Sequence, residues 1–489
     1  MTALDPVAAA PARRARLPLA VLVVAVALGA LLLGDRASST VQVAPAASDA
    51  VVAAAPGTRS AVWYCPGFPT REGATAAVSL TNMGETDVSG AFTVLVDGGE
   101  AVRESLEVPA GEVVRVVPTT VAPGAGAALV EVFSDDVVVE EALIGPDIFV
   151  VAPCATHASD QWYFAAGTTV RGVEHFLVLL NPFDEAAVVD VTLLTDSGVQ
   201  RPDALRALDV PGLSRVVLPV HAASLRRPWV AMEVRARAGG RVVAAQSMVF
   251  GPDSGRVGLT RTLGAVTTAN RWQLADGRVE GVRTVAIMNP GDIDSEVDVQ
   301  VVPSDPDVVV DPVTVTIGRT GVVAMQIGGC GEQPSPTCIA VPDDVEYSVL
   351  VTATVDVPVV VQDLETFTGS STGAVSTLAI REPARSWSFG RSMFRDQRSS
   401  YLAVVNPGAE PTTVSVTLVV DGERLAPREL QDVELLPGRR IRLGIGALGL
   451  TDGGIAVEAA APVVVERVAT RLDGIMRVAG VPERADATR

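Results

Sequence analysis

Residues 401–422 read YLAVVNPGAEPTTVSVTLVVDG, and this stretch decides the fold class. Leu402 and Val404 alternate ahead of Asn406, the spacing of a strand with one buried face. Asn406, Pro407 and Gly408 then suit a tight turn. Asn fits its first position, Pro presets φ at the second, and Gly supplies a positive φ at the third. Val414, Val416, Leu418 and Val420 resume the alternation, and Asp421-Gly422 ends it as a hairpin signal.

The same phrase is written four times. Asn82, Asn181, Asn289 and Asn406 each end a short apolar run, and Pro182, Pro290 and Pro407 follow three of them, with Met83 in the first copy. Some twenty residues ahead of each Asn stands a Trp: Trp63, Trp162, Trp272 and Trp387. The tryptophans lie 99, 110 and 115 residues apart and the asparagines 99, 108 and 117. The two markers travel together, so the repeated unit is a whole domain of roughly 100 residues. Each Trp is expected to plug a core between two sheets, and each Asn to bond its own turn backbone.

Further markers recur downstream. Pro/Gly turns fall at 107–111, 209–212 and 435–438, with IGRTG at 317–321, and Arg115, Arg215, Arg319 and Arg439 lie in or just after them. Each copy ends with two apolar runs, such as ALVEVFSDDVVVEEAL (128–143) and IAVEAAAPVVVERVAT (455–470), which read as closing hairpins. A polar residue follows the second run's valines or alanines, at Glu140, Gln246, Gln362 and Glu466, and reads as the solvent face of a strand. About seven strands per copy, with turn signals every 8 to 12 residues, point to sandwiches. The expected fold is therefore all-β: four tandem immunoglobulin-like or fibronectin-like β-sandwich repeats, at 61–156, 157–266, 267–382 and 383–482, before a tail at 483–489. Joined by short linkers, they predict an elongated rod.

Ahead of them, Arg13, Arg14 and Arg16 precede the uncharged stretch 17–34, LPLAVLVVAVALGALLLG. Its length suits a single transmembrane helix, with residues 1–16 cytoplasmic and the bulk of the chain outside. A cleaved signal peptide is the competing reading. Residues 35–60 are rich in Ala, Ser and Pro and read as a flexible linker. Four cysteines suit an oxidising compartment. Cys65 with Cys154 would clamp the first repeat, and Cys330 with Cys338 would staple one loop of the third.

The composition excludes several functions. The 489 residues carry a net charge of −19 and every base is Arg, with none clustered in the exported bulk. Phosphate contacts need a positive face, so nucleic acid is not an expected partner. The three histidines, His157, His175 and His221, match no common zinc spacing. No nucleophile motif or phosphate loop occurs. No catalytic residue, metal ligand or cofactor is expected. Trp229, which has no counterpart in the other copies, and Tyr401 are the candidate contact residues.

The Arg-flanked anchor, the Ala/Pro linker, WYCPG at 63–67 and the W…NPG repeats together resemble the actinobacterial domain-of-unknown-function 5719 family of membrane-anchored envelope proteins. That resemblance implies no established activity. It implies a link to surface glycopolymer assembly by association alone. The resulting expectation is a non-enzymatic, membrane-anchored scaffold in the cell envelope, with envelope proteins or glycans as partners. The alternative is a glycan-binding module array, and a third reading is an enzyme with a site near the second repeat.

Overall fold

The computed structural model describes residues 50–53, 60–145, 148–278, 281–330, 335–354, 356–368, 372–393, 399–446, 452–471 and 474–483. The expected cytoplasmic tail, the anchor at 17–34 and most of the linker lie outside the described residues. Residues 49–489 form one compact unit.

That unit is nearly all β, and its sheets follow the sequence phrase. In the first copy, strand Ala61–Cys65, which holds Trp63, lies in a sheet with Ala125–Val132, Val88–Val96 and Val102–Val108, in that order. A second sheet orders Val113–Val116, Thr75–Asn82, Val137–Gly145 and Ile148–Pro153. Alternation places Val78 and Leu80 of the second sheet against Trp63, Val94 and Val130 of the first. The second and third copies likewise give a sheet with the Trp strand and a sheet with the Asn strand, and in the fourth the two are joined into one nine-stranded sheet.

The two last apolar runs of each copy are not hairpins. Ala125–Val132 pairs within the Trp sheet, and Val137–Gly145 pairs within the Asn sheet. The chain between them crosses from one sheet to the other. In the fourth copy one strand, Asp452–Arg471, makes the passage unbroken, pairing first with the Trp strand and then with Ser399–Val405. Runs without alternation, such as Val137-Val138-Val139, allow this because the strand is covered on both faces.

The tryptophans fix these crossings. All four are at most 1% exposed. The indole N–H donates to the carbonyl of Val242 from Trp162 (2.8 Å), of Val359 from Trp272 (2.9 Å) and of Val463 from Trp387 (3.0 Å). Those carbonyls lie where the chain enters the Asn sheet. Trp63 Nε1 is the exception and has no acceptor.

The asparagines tie the sheets from the other end. Asn406 Nδ2 donates to Glu410 O within its turn and to Leu435 O, the last residue of a Trp-sheet strand, while its Oδ1 accepts the Gly408 N–H. Asn82, Asn181 and Asn289 repeat all three bonds. The turn differs from expectation, since Gly291 and Gly408 do not adopt positive φ. The Asn side chain, not the glycine backbone, closes it. Phe183 therefore fits where the other copies have Gly, its N–H reaching Asn181 Oδ1 at 3.1 Å.

The four copies do not line up as a rod. Strand Ile148–Pro153 packs on Gly258–Leu263, which packs on Thr372–Val375, which packs on Gly474–Ala479, which returns to Ile148–Pro153. A cavity of about 10 Å³ opens between these four strands. The ring closes where the first copy meets the fourth. Gly422 N donates to Gly111 O at 3.2 Å, both glycines have positive φ, and a Cβ on Gly111 would lie 2.7 Å from Gly422 Cα. Met83, at the place of Pro in the other copies, explains its own irregularity here. Its N–H donates to Asp136 O, its carbonyl accepts from Arg424 of the fourth copy, and its sulfur lies against Gly454. Proline could make no such donation.

Residues 50–53, assigned to the flexible linker, are part of this seam. Thr156 N donates to Ala50 O, Val52 N to Thr156 Oγ1 and Ala53 N to Pro482 O. The described chain thus begins and ends side by side.

Losing an indole N–H should cost more where it has an acceptor. Trp162→Phe, Trp272→Phe and Trp387→Phe each remove an indole hydrogen bond to a buried carbonyl, worth ~0.5–1.5 kcal/mol beyond the packing change. Trp63→Phe loses packing only. Urea unfolding followed by far-UV circular dichroism should rank Trp63→Phe as the mildest of the four.

Candidate functional site

The seams of the ring carry a belt of buried polar side chains. It begins with the four polar residues that follow the apolar runs. Glu140, Gln246, Gln362 and Glu466 are each at most 2% exposed, so they are not the solvent face of their strands. The next copy's sheet covers that face, and the burial forces each group to find a partner.

Three of them find it across a seam, at the backbone just past the neighbouring Trp. Glu140 Oε1 accepts the Gly390 N–H (3.1 Å), Glu466 Oε2 accepts the Asp276 N–H (2.9 Å), and Gln362 Oε1 accepts from Ala165 and Ala166 (3.1 and 3.3 Å). In ring order the first copy caps the fourth, the fourth caps the third, and the third caps the second. The second copy breaks the cycle. Gln246 turns to His175 Nε2 (3.2 Å) and Ala166 O (2.7 Å) of its own copy. The corresponding N–H in the first copy, on Gly67, goes to Glu141 Oε2 at 2.8 Å.

Arginines reinforce the belt. Arg261 Nε donates to Glu141 at 2.6 Å, both groups being buried, and joins the second copy to the first. Arg467 lies 3.6 Å from Glu140. The densest cluster is the seam between third and fourth copies. Arg477 donates to Asp276 (3.1 Å), Asp363 (2.8 Å) and Glu365 (2.7 Å). Arg440 donates to Asp276 (2.7 Å), Glu346 (2.5 Å) and Ala275 O (2.9 Å). Arg283 donates to Asp363 (2.9 Å) and Asp276 O (2.5 Å). The turn-associated arginines were legible as a group, but Arg439 is not the member that works. Arg440 reaches the third copy, and its register equivalent Arg215 reaches the first, bonding Asp97 twice at 2.8 Å and Phe68 O at 2.9 Å.

These surroundings set the charge states. Burial pushes Asp276 upward, but the guanidiniums of Arg477, Arg440 and Arg283 outweigh it and hold the carboxyl below its usual range. Burial wins at Glu466, whose pKa rises to about 7 despite Arg477. Burial also raises Glu365, against Arg477 and Arg283. A neutral Glu466 matches the amides at the same place in the second and third copies, Gln246 and Gln362. Burial drives His175 the other way, down to about 4.

The other predicted residues fall as follows. Cys65–Cys154 and Cys330–Cys338 are disulfides, with S–S distances of 2.03 and 2.05 Å. Tyr401 is buried, not a contact residue, because its hydroxyl donates to Asp276 at 3.1 Å inside the charged seam. Trp229 is half-buried against the core that spans the second and third copies. Among the described residues no group of His, Cys, Asp or Glu is arranged to hold a metal ion. No helix among them is long and apolar enough to cross a membrane.

Residues 149–360 match a family of unknown function, DUF5719. The matched residues run from the closing strand of the first copy to the start of Val360–Thr368 in the third. No curated protein matches the chain. Among solved structures, the crystal structure of Thermotoga maritima 1070 aligns at 19% identity over 23% of this chain and 95% of that one. Its TM-score is 0.19, and at that value the likeness carries no argument.

Two of the buried groups contribute to the pH dependence of stability with opposite sign. Folded Glu466 keeps its proton to about pH 7, whereas the unfolded chain releases it near 4.5. Stability should therefore fall as pH rises through that window. Folded His175 stays neutral down to about pH 4, whereas the unfolded side chain protonates near 6.5, so this contribution rises over its window. Glu466→Gln should remove only the first effect and stabilise the protein at pH 8 by ~1–3 kcal/mol. Denaturation midpoints measured from pH 4 to 8 should show the gain of Glu466→Gln over the native protein absent at pH 4 and growing as pH rises to about 7.

Proposed function

We propose that the chain is a non-enzymatic, membrane-anchored protein of the cell envelope, with its bulk extracytoplasmic. In this reading its four immunoglobulin-like or fibronectin-like sandwiches form a rigid scaffold for envelope proteins or glycans. The observation that carries the reading is ring closure. Glu140 and Gly390, 250 residues apart, meet across the last seam. Belt side chains that resemble catalytic carboxylates are consumed in holding sheets together, each tied to an arginine or a backbone N–H. The two disulfides support an oxidising compartment. The apolar stretch at 17–34 supports the anchor. Burial of Tyr401 and the four core tryptophans weighs against an array of stacking platforms for sugars.

The test is capture from cross-linked envelopes, using the native protein and Gly111→Val/Glu140→Ala, in which the last seam is disrupted. The native protein should retain a defined set of partners. The variant should lose them while keeping its β-sheet circular dichroism. Conversion of envelope glycopolymer to a new product would overturn the reading, as would capture that the variant leaves unchanged.

A further inference from the structure

The first copy contains a cavity of about 180 Å³ that its neighbours in the ring fill. It opens at the mouth of the sheet pair, between Thr75–Asn82 and Ala125–Val132, under the segment 67–71. The inward positions there are Ala76, Gly126 and Ala128. Pairing to the Trp strand and distance from the Asn give their equivalents in the other copies. They are His175, Val230 and Met232 in the second and Arg283, Tyr347 and Val349 in the third. In the second and third copies this place holds buried side chains: His175, Val230 and Met232 are 0% exposed, as are Tyr347 and Val349, and Arg283 is 1%. The fourth has Ser400, Gly453 and Ile455, so Ala128 is the position where the first copy alone has a small residue opposite larger ones.

An unfilled space in a packed core lowers stability in proportion to its volume. Gly126 has a separate structural cause, since a Cβ there would lie 2.1 Å from Arg215 Nε and block that arginine's reach to Asp97. Ala76 and Ala128 have no such cause. The walls are apolar at Phe68, Val78 and Leu143, and polar at Glu141, Arg215 and Arg71. Glu141 and Arg215 are fully engaged across the seam. Arg71 binds Glu174 through Nη2, but its Nε–H is buried and has no acceptor.

We propose that this cavity is a binding site for a small organic acid, its apolar body between Ala76 and Ala128 and its carboxylate accepting from Arg71. The site stands independently of the scaffold reading, because its walls come from the first copy and Arg215 of the second, and it needs no partner protein. The volume suits a single aromatic ring.

The test uses 4-fluorobenzoate and fluorobenzene as probes, followed by fluorine NMR on the whole protein. The acid should bind saturably, and at least tenfold more tightly than fluorobenzene. Ala128→Met, which copies Met232, should abolish binding and raise the melting temperature. Ala76→Leu, filling the space from the opposite sheet, should do the same and guards against one substitution misfolding. Arg71→Gln should equalise the two probes while leaving the melting temperature nearly unchanged. Absence of saturable binding, or binding that survives both filling substitutions, would overturn the proposal. Failure here leaves envelope capture untouched, so the two readings fail separately.

Discussion

A hydrogen bond between the Glu140 carboxylate and the Gly390 amide depends on chain closure, and chain closure governs most of what is unusual in this molecule. In an open string of sandwiches, each sheet would show one face to water, and polar residues could stand there at no cost. Closing the string covers those faces. Every polar group on a covered face must then be paired, since an unpaired one costs ~1–3 kcal/mol and an unpaired charge more. The belt of glutamates, glutamines and arginines is the consequence. Its members recur at one register because the same geometric problem recurs at each seam.

The same logic explains why the seams are not identical. Between third and fourth copies, three arginines face Asp276, Asp363 and Glu365, all buried. Burying such a cluster yields little net stability, because desolvation offsets much of the attraction. Its value lies in exclusivity: any other docking of these sheets would leave charges unmatched. Between second and third copies the hydrogen bonds are neutral: Gln362 Oε1 accepts the Ala165 N–H at 3.1 Å, and the Thr262 hydroxyl donates to Ser376 O at 2.9 Å. Four copies that share one fold therefore carry different recognition groups on their edges, which fixes their order around the ring.

What could be read from the sequence was what lies within a copy. Period-two alternation, the Trp and Asn markers and the cysteine count concern contacts inside about 100 residues, where strand periodicity reports directly on burial. The Asn-Pro-Gly turn was legible in place but not in mechanism. Its glycine suggested a backbone solution, whereas the Asn side chain does the bonding. Contacts between copies were not legible, because no local pattern distinguishes a strand face covered by solvent from one covered by another sheet. One signal was present in Val137-Val138-Val139-Glu140-Glu141. A run that does not alternate implies cover on both faces. Two consecutive polar residues within such a run, repeated in four copies, mark buried groups with specific partners. Tyr401 was misjudged for the same reason.

Comparison among the copies also shows what is structural and what is not. The residue two after each Trp and the residue before the strand that returns to it form one contact. In the first copy that contact is the Cys65–Cys154 disulfide. In the second and fourth it is Phe164 over Gly264 and Phe389 over Gly480, where a Cβ on either glycine would lie 2.8 Å from the ring. In the third, Leu274 and Ala379 occupy it. Three chemistries fill one volume, so the disulfide acts as packing as well as a covalent clamp. Substitution that conserves volume is the normal behaviour of a core position. Ala128 departs from that behaviour, because nothing in the first copy compensates for its small size. A repeat protein thus supplies its own controls: a feature shared by all copies belongs to the fold, and an uncompensated departure in one copy calls for a reason outside it.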